Sequence, residues 1–233
     1  GTLTPEHVIH NKPYPALLGA DATDGLEAFA QEYTGYFQRA DDANLTMLAP
    51  FPHWAIFNDG RCRSYGPNLK RASISADVAD TTLEAMFYAD QIGDWQGLGE
   101  QDLRDLEYWE LEQAKLKRQK PASELTGKIA VVSGAAAGIG QACAQVLFEK
   151  GAVVIGLDID PSIAQTMSKP GFEGVVLDLT DEAAVADALA NIVDTYGGLD
   201  IVVSNAGIFR TGAKIETLAD EDWDAILAVN LSS

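Results

Sequence analysis

Short apolar runs alternate with stretches of helical periodicity along residues 129–204. The apolar runs have the length of strands and lie at 129–133, 153–157, 174–177 and 201–204. Helical patterns separate them at 139–149, 161–168 and 181–196. Strands that alternate with helices pair in parallel through right-handed crossovers, so this order predicts an α/β region with a parallel sheet.

The first half of the chain is richer in aromatic residues and predicts an α+β region. Asp24 and Glu27 have the spacing of a capping box and predict the start of a helix at 23–25. The apolar residues that share one face of this helix are predicted to form a buried stripe. They are Leu26, Phe29, Ala30, Tyr33 and Phe37.

Three further elements are predicted in this half. Segments 53–57 and 61–65 flank a turn that contains Gly60, and they predict a hairpin. Helices are predicted at 72–89 and at 102–117. In the second of these, acidic residues lead and basic residues follow, an order that the helix dipole favours.

A basic run that ends at Pro121 marks a change in the character of the sequence and predicts an exposed linker at 119–125. The linker divides the chain into a region at 1–118 and a region at 126–233. With 233 residues, 47% of them hydrophobic, the chain is long enough and apolar enough for two globular regions.

The acidic charge of the chain changes which partners are expected. The formal net charge is −19 at pH 7, and such a surface repels phosphate backbones and anionic lipid. We therefore expect no nucleic-acid partner and no membrane partner. The chain has two cysteines, no basic-then-apolar pattern at its start and no apolar run of about 18 residues, so we expect a cytoplasmic protein.

Segment 133–140, Ser-Gly-Ala-Ala-Ala-Gly-Ile-Gly, joins the first predicted strand of the sheet to its helix. Gly134 permits a tight turn, Gly138 lets the backbone approach a diphosphate, and Gly140 lets helix and strand pack closely. The helix N-terminus offers unpaired N–H groups and partial positive charge to the phosphates. A tight turn without a ligand is the simpler alternative, and the flanking strand and helix disfavour it.

Asp158 ends the second predicted strand of the sheet. A carboxylate there accepts hydrogen bonds from the ribose hydroxyls of an adenosine and repels a 2′-phosphate. At an effective dielectric constant of about 20, two like charges about 4 Å apart repel by about 4 kcal/mol before screening. Since Ala137 in the loop is neutral, we expect NAD rather than NADP. The neighbouring Asp160 is predicted to be only a helix cap before Pro161.

Together with three later segments, the loop resembles the short-chain dehydrogenase/reductase family. The family's TGxxxGxG loop is matched with Ser133 in place of Thr, and its NNAG motif is matched at 204–207 with Ser in place of the first Asn. Its acidic residue after the third strand, which contacts adenine, is matched by Asp178. Its Asn-Leu helix end is matched at Asn230. The resemblance covers residues 125–233 and implies a Rossmann-type, doubly wound parallel sheet.

The same resemblance implies a binding site for NAD and part of a catalytic site. The implied cofactor-binding residues are Gly134, Ala136, Gly138, Ile139, Gly140, Asp158, Ile159, Asp178, Leu179, Asn205, Ala206 and Gly207. Asn230 is implied to support a proton relay. In the family a Ser, a Tyr and a Lys act on the substrate hydroxyl, with the Tyr and Lys spaced YxxxK. No tyrosine of this sequence is followed by Lys four residues later.

We therefore expect the sequence to be part of a longer protein and its sheet to be incomplete. A sheet that ends at the fourth strand leaves an apolar edge, which is expected to pair with further chain or with another copy. A homo-oligomer is the expected assembly.

Segments 4–9 and 105–116 are similar to one group of bifunctional proteins. These proteins join a class II sugar-phosphate aldolase to a short-chain dehydrogenase and are described as rhamnulose-phosphate aldolase/dehydrogenases. The similarity implies that residues 1–118 are the C-terminal part of an aldolase-like region. It also implies a small hydroxy- or aldehyde-bearing substrate derived from a sugar, such as lactaldehyde.

No metal site is predicted, although class II aldolases bind zinc through several histidines. His7 and His10 could share a helical face but lack a third ligand, and His53 is predicted to pack in the core. Cys62 and Cys143 are predicted to be structural.

Two functions stand as alternatives at this point. The first is an NAD-dependent oxidoreductase within a longer bifunctional protein. The second is a noncatalytic dinucleotide-binding or assembly module. A third, a zinc aldolase, predicts stoichiometric zinc in the purified chain.

Overall fold

The computed structural model describes residues 2–40, 44–111, 114, 122–209, 212 and 214–232. It divides into two compact units, Gly1–Pro121 and Ala122–Ser233. Within the described ranges, no helix is both long and apolar enough to cross a membrane.

The first unit packs helices against a small mixed sheet. Its helices are α1 (Pro5–Asn11), α2 (Ala22–Gln38), α3 (Leu69–Ile92) and α4 (Glu100–Glu107), and its strands are β1 (Ala16–Leu18), β2 (Trp54–Phe57) and β3 (Cys62–Ser64). Strand β1 pairs in parallel with β2, and β2 pairs antiparallel with β3. The turn between β2 and β3 contains Gly60 with φ +84°. The predicted hairpin and the predicted helix at 72–89 are therefore confirmed.

Helix α2 begins before the predicted capping box. Asp21 is the N-cap, and its Oδ1 accepts the N–H of Thr23 at 2.8 Å. The capping role predicted for Asp24 and Glu27 is wrong, because Asp21 already accepts a hydrogen bond from the first turn.

The buried face of α2 also differs from the predicted stripe. Its buried side chains are Phe29, Tyr33 and Tyr36. Leu26, predicted to be buried, is exposed. At this end of the helix Gly25 makes the close contact with β1, since a Cβ on Gly25 would lie 2.5 Å from the carbonyl oxygen of Leu17. The adjacent Leu26 is left on the solvent side.

The helix predicted at 102–117 begins two residues earlier, and α4 ends at Glu107. Tyr108 leaves the helical conformation with φ −103° and ψ 18°. Its buried hydroxyl lies 2.7 Å from the hydroxyl of Tyr33, a long-range contact that the local pattern does not encode. Residues 112–113 and 115–117 of the predicted helix, and 119–121 of the predicted linker, lie outside the described residues.

The second unit is a Rossmann-type α/β structure. Its strands are β4 (Ile129–Ser133), β5 (Val153–Asp158), β6 (Ser168–Lys169), β7 (Phe172–Val176) and β8 (Ile201–Val203), and its helices are α5 (Gly138–Glu149), α6 (Ile163–Thr166), α7 (Glu182–Tyr196) and α8 (Asp220–Leu227). A 3₁₀ turn at Ile215–Thr217 precedes α8, and a π-helical turn at Ala228–Ser232 follows it. The sheet order is β6-β7-β5-β4-β8, and only the pairing of β6 with β7 is antiparallel. The predicted fold class is confirmed.

The connection from β5 to β7 contains a shorter helix than predicted. The predicted helix at 161–168 is reduced to the four residues of α6, and the chain then forms β6. Gly171, with φ +75°, turns the chain back so that β7 begins at Phe172 rather than at Gly174. A Pro-Gly pair after a short helix favours such a turn over a longer helix.

Two apolar cores lie on opposite faces of this sheet. One face of β4 presents Ala130 and Val132 to the core of α5 and α6, which includes Ala144 and Ile163. The other core contains Ile129 and Val131 of β4 together with residues of α7 such as Ile192. The alternation of side chains along β4 and the helices on both faces make the sheet doubly wound.

Candidate functional site

The predicted cofactor-binding residues come together at one edge of the second sheet. Segment 134–140 follows β4, residues 158–159 end and follow β5, residues 178–179 follow β7, and residues 205–207 follow β8. Because β4, β5, β7 and β8 run in parallel, all four segments meet at the carboxyl edge. The chain leaves β4 towards β5 on one side and returns to β8 on the other, so this edge contains the switch point where α/β sheets bind ligands.

The loop after β4 requires glycine at two positions for reasons of space. Gly134 has φ +65°, and a Cβ there would lie 2.9 Å from the Cα of Ala206. A Cβ on Gly140 would lie only 2.1 Å from the carbonyl oxygen of Gly134. Gly138 differs, because it has φ +58° but open space where its Cβ would be. The loop therefore packs against the protein at Gly134 and Gly140 and is open to solvent at Gly138.

The N-terminus of α5 can bind an anion. The N-cap Ala137 has no side-chain acceptor, and the first intrahelical bond runs from the N–H of Gln141 to its carbonyl oxygen at 3.2 Å. The amides of Gly138, Ile139 and Gly140 therefore have no acceptor within the helix. These amides, the helix dipole and the open space at Gly138 fit the diphosphate of a dinucleotide.

Ser133 connects the loop after β4 to the loop after β8. Its Oγ accepts the N–H of Asn205 at 2.9 Å and the N–H of Ala206 at 3.0 Å. In return, Nδ2 of Asn205 donates to the carbonyl oxygens of Ser133 and Gly134 at 3.0 and 3.2 Å. Ser133 was not among the predicted site residues. Its place at the head of the glycine motif was the available signal, since a hydroxyl can accept from two amides.

Asp158 lies at the end of β5 with its carboxylate directed to the glycine loop. Its Oδ2 accepts the N–H of Ala136 at 2.9 Å, and its Oδ1 accepts the N–H of Asp160 at 3.0 Å. Asp160 in turn accepts the N–H of Ser162 at 2.8 Å, and this hydrogen bond lowers the pKa of Asp160. Asp160 therefore acts at the start of the next turn, close to its predicted capping role.

Asp178 and three apolar residues complete the edge. Asp178 is exposed, and its Oδ1 accepts the N–H and the O–H of Thr180 at 2.9 and 2.7 Å, which lowers the pKa of Asp178. Ile139 and Ile159 expose 76% and 67% of their surface, whereas Leu179 is half-buried against the α7 core. Two exposed isoleucines beside the glycine loop can pack against flat rings of a ligand.

Asn230 lies in the π-helical turn and pairs with the backbone of Ile208 in both directions. Its Oδ1 accepts the N–H of Ile208 at 2.7 Å, and its Nδ2 donates to the carbonyl oxygen of Ile208 at 2.9 Å. The side chain thus holds the segment that follows Gly207. The participation of Asn230 in a proton relay stays a prediction.

Two of the three histidines, all in the first unit, contact other groups of the protein. His7 Nδ1 lies 2.8 Å from the hydroxyl of Thr82, and His53 Nδ1 bonds to the carbonyl oxygen of His10. Burial lowers the pKa of His53. Within the described ranges, no three His, Cys, Asp or Glu side chains are grouped to hold a metal ion.

Comparison with protein families assigns the two halves of the chain separately. Residues 1–116 match the family model described as "Aldolase class II, second domain", and residues 128–233 match "short chain dehydrogenase". The chain therefore joins a region of the short-chain dehydrogenase family to an aldolase-like region. The resemblance of residues 125–233 to the short-chain dehydrogenase family and the aldolase-like character of the first region are confirmed.

Similar proteins extend well beyond the length of this chain. The uncharacterized oxidoreductase YuxG of Bacillus subtilis is 27% identical over 244 residues, which cover 96% of this chain and 35% of that protein. The 3-oxoacyl-[acyl-carrier-protein] reductase FabG of Escherichia coli is 41% identical over 110 residues, which cover 46% of this chain and 45% of that protein. The chain thus spans about a third to a half of the curated relatives it matches.

One similar solved structure is a 3-ketoacyl-(acyl-carrier-protein) reductase from Brucella melitensis complexed with NADH. It aligns with a TM-score of 0.45 and 32% sequence identity over 46% of each chain.

Proposed function

We propose that the second unit binds NAD and belongs to an oxidoreductase that transfers hydride between NAD and a small hydroxy- or aldehyde-bearing substrate. The observation that carries this proposal is the bare N-terminus of α5, with Gly138 open to solvent, beside the carboxylate of Asp158. The match to the short chain dehydrogenase model supports an oxidoreductase.

Each segment of the carboxyl edge has a separate task in binding. The amides of Gly138, Ile139 and Gly140 hold the diphosphate, and Asp158 accepts from the adenosine ribose. Ala136 and Ile159 border the ribose, and Asp178 and Leu179 border the adenine. Residues 205–207 extend the binding surface towards the substrate end of the cofactor. The bound dinucleotide supplies the group that accepts or donates hydride.

The charge of Asp158 favours NAD over NADP. Its carboxylate sits at the loop where a 2′-phosphate would lie, and no loop residue from Gly134 to Gly140 carries a positive charge. Like charges at short range repel by about 4 kcal/mol at an effective dielectric constant of about 20.

The link to an aldolase-like region suggests the source of the substrate. We propose that the whole protein is a bifunctional sugar-phosphate aldolase/dehydrogenase of rhamnose metabolism, and that the dehydrogenase acts on a sugar-derived aldehyde or alcohol. The family assignment of residues 1–116 supports this proposal. A homo-oligomer and a cytoplasmic site of action complete it, and two free cysteines are consistent with a reducing compartment.

A pair of glycine variants tests dinucleotide binding. Gly138→Ala places a methyl group on the open face of the loop at φ +58°, and Gly197→Ala introduces similar backbone strain at φ +89° at the end of α7. We expect Gly138→Ala to weaken NAD⁺ binding about tenfold or more and Gly197→Ala to leave it unchanged. Calorimetric titration measures both. Equal binding by wild type and Gly138→Ala would contradict the proposed site.

A noncatalytic dinucleotide-binding module is the second candidate function. It is favoured by the engagement of the Asn230 side chain with Ile208. NAD⁺ binding without turnover of any small alcohol or aldehyde by this chain would support the module for these residues.

A further inference from the structure

We propose that Asp158 is a positioning residue for the glycine loop in addition to its role toward the ribose. The proposal rests on the proposed function, because the loop matters only if its amides bind a diphosphate. The task assigned to Asp158 is to hold the amide of Ala136, and so to fix the loop before any ligand arrives.

The hydrogen bonds of the loop show where Asp158 acts. At the start of the loop, the N–H of Gly134 donates to the carbonyl oxygen of Leu157 at 2.8 Å. At its end, Gln141 begins the ladder of α5. The N–H of Ala135 also reaches the carbonyl oxygen of Leu157, at 3.4 Å. Gly134 and Gly138 have positive φ, and the three alanines between them have side chains that form no hydrogen bonds. The bond from the N–H of Ala136 to Asp158 Oδ2, at 2.9 Å, fixes this middle stretch.

Positioning the loop leaves Asp158 able to bind ribose. A carboxylate has about four lone-pair sites, and the amides of Ala136 and Asp160 occupy one on each oxygen. The side chain is only partly buried, so its other lone pairs can accept from two ribose hydroxyls. Asp158 can therefore hold the loop that binds the diphosphate and accept hydrogen bonds from the adenosine ribose at the same time.

The charge of Asp158 and its hydrogen bond act on a diphosphate in opposite directions. Removing a negative charge near an anion site strengthens anion binding. Removing the acceptor of Ala136 releases the loop and weakens anion binding, since the amides lose their fixed arrangement. A ligand that has adenine and diphosphate but no ribose hydroxyls separates these effects from ribose recognition. The probe is 2′,3′-dideoxyadenosine 5′-diphosphate.

Two substitutions of Asp158 distinguish the effects. Asp158→Ala removes both charge and acceptor, and we expect it to weaken binding of the probe about tenfold, as loss of a hydrogen bond to a charged group does. Asp158→Asn removes the charge but keeps one oxygen. That oxygen can accept from Ala136, whose bond is partly buried, while the exposed N–H of Asp160 turns to water. We expect Asp158→Asn to bind the probe at least as tightly as wild type.

Asp160→Ala is the matched control, because it removes a charge from the same edge without touching the loop. We expect it to leave binding of the probe unchanged or slightly stronger. If Asp158→Ala behaves like Asp160→Ala, Asp158 has no positioning role. If wild type binds neither NAD⁺ nor the probe, the proposed function fails.

Hydrogen exchange of the ligand-free chain tests the positioning role independently of binding. We expect the amide of Ala136, followed by NMR, to exchange about tenfold faster in Asp158→Ala than in wild type, and to stay protected in Asp158→Asn. Equal exchange in wild type and Asp158→Ala would overturn the inference. The amide of Val131 in the middle of β4 serves as the internal reference, since its strand is paired on both sides.

Discussion

The two units of the chain place their polar groups differently. In the first unit, two charged side chains and two tyrosines meet inside the core, and all four are at least 96% buried. They are Lys12, Glu107, Tyr33 and Tyr108. In the second unit the two cores are apolar, and the polar groups that matter lie along the carboxyl edge of the sheet. Buried polar groups select one packing arrangement, whereas polar groups at an open edge are available to a ligand.

The buried cluster of the first unit connects three elements. Nζ of Lys12, just after α1, lies 3.5 Å from Oε1 of Glu107 in α4 and 3.8 Å from the ring centre of Tyr33 in α2. Tyr33 donates to the same Glu107 oxygen at 2.7 Å. Burial lowers the pKa of Lys12 to about 8 and raises the pKa of Glu107. Lys12 has φ +66°, so its backbone is held in a conformation that few non-glycine residues adopt.

The largest predicted effect follows from breaking this cluster. Glu107→Ala leaves the buried ammonium of Lys12 without its carboxylate, and we expect a loss of about 3–5 kcal/mol in the free energy of unfolding. Denaturant titration followed by tryptophan fluorescence measures it, since three of the four tryptophans lie in the first unit. Glu100→Ala, which removes an exposed partner of Arg39, is the control and should change little. Similar losses for the two variants would show that the buried cluster does not stabilise the first unit.

The second prediction concerns how the free energy of unfolding of the first unit depends on pH. The pKa of Lys12 is about 8 in the folded state and 10.5 as its ordinary value, so the unfolded state binds more protons between these values. The free energy of unfolding therefore rises with pH from about 8, by up to about 3 kcal/mol, until the tyrosines of the unfolded state ionise near pH 10. The double variant Lys12→Met/Glu107→Gln should lose this rise. A rise that persists in the double variant would assign it to other groups.

Two carboxylates of the second unit make its stability sensitive to acid. Hydrogen bonds from Thr180 lower the pKa of Asp178, and the ion pair with Lys128 lowers the pKa of Asp200. Their contribution to stability is present above the ordinary carboxyl pKa and is lost as pH falls through the lowered values.

The third prediction concerns the packed side of the glycine loop. Gly140→Ala places a Cβ against the carbonyl oxygen of Gly134, and we expect it to lower the free energy of unfolding by about 1–3 kcal/mol and to abolish NAD⁺ binding. Circular dichroism during denaturation and calorimetric titration measure the two effects. Gly198→Ala, where a Cβ meets nothing within 4 Å, is the control. Unimpaired binding in Gly140→Ala would mean that the loop tolerates a shift of its backbone.

The smallest predicted effect concerns salt. Lys128, Lys150 and Lys169 lie near the amino ends of β4, β5 and β7, whereas four aspartates border the carboxyl ends. The aspartates are Asp158, Asp160, Asp178 and Asp181. Because salt screens their repulsion of a diphosphate, we expect NAD⁺ affinity to rise about twofold as ionic strength increases from about 0.02 to 0.3 M. A fall in affinity would indicate that a cation contributes to the site.

The sequence predicts the second unit better than the first for a physical reason. Most strands and helices of 126–233 follow from local periodicity, and Gly134 and Gly140 mark positions where a side chain does not fit. In the first unit, Glu107 lies more than 70 positions from both Lys12 and Tyr33, and no local pattern marks a charged residue as buried. The N-cap of α2 and the end of α4 were mispredicted for related reasons, since competing caps and long-range hydroxyl contacts decide them.

The candidate site was also predictable only in part. Its location was predictable, because parallel strands bring their following loops to one edge. The hydrogen bonds within it were not, because they depend on side-chain direction. The engagement of Asp158 with Ala136 and of Asn230 with Ile208 are examples.

The two-residue strand β6 has a consequence for how the second sheet can grow. It folds back antiparallel onto β7 and carries Lys169 opposite Phe172, so one border of the sheet ends in a very short, charged strand. Such borders discourage the addition of further strands. On the opposite border, β8 is a parallel strand with an exposed Val202. We therefore expect any further strand to add beside β8 rather than beside β6.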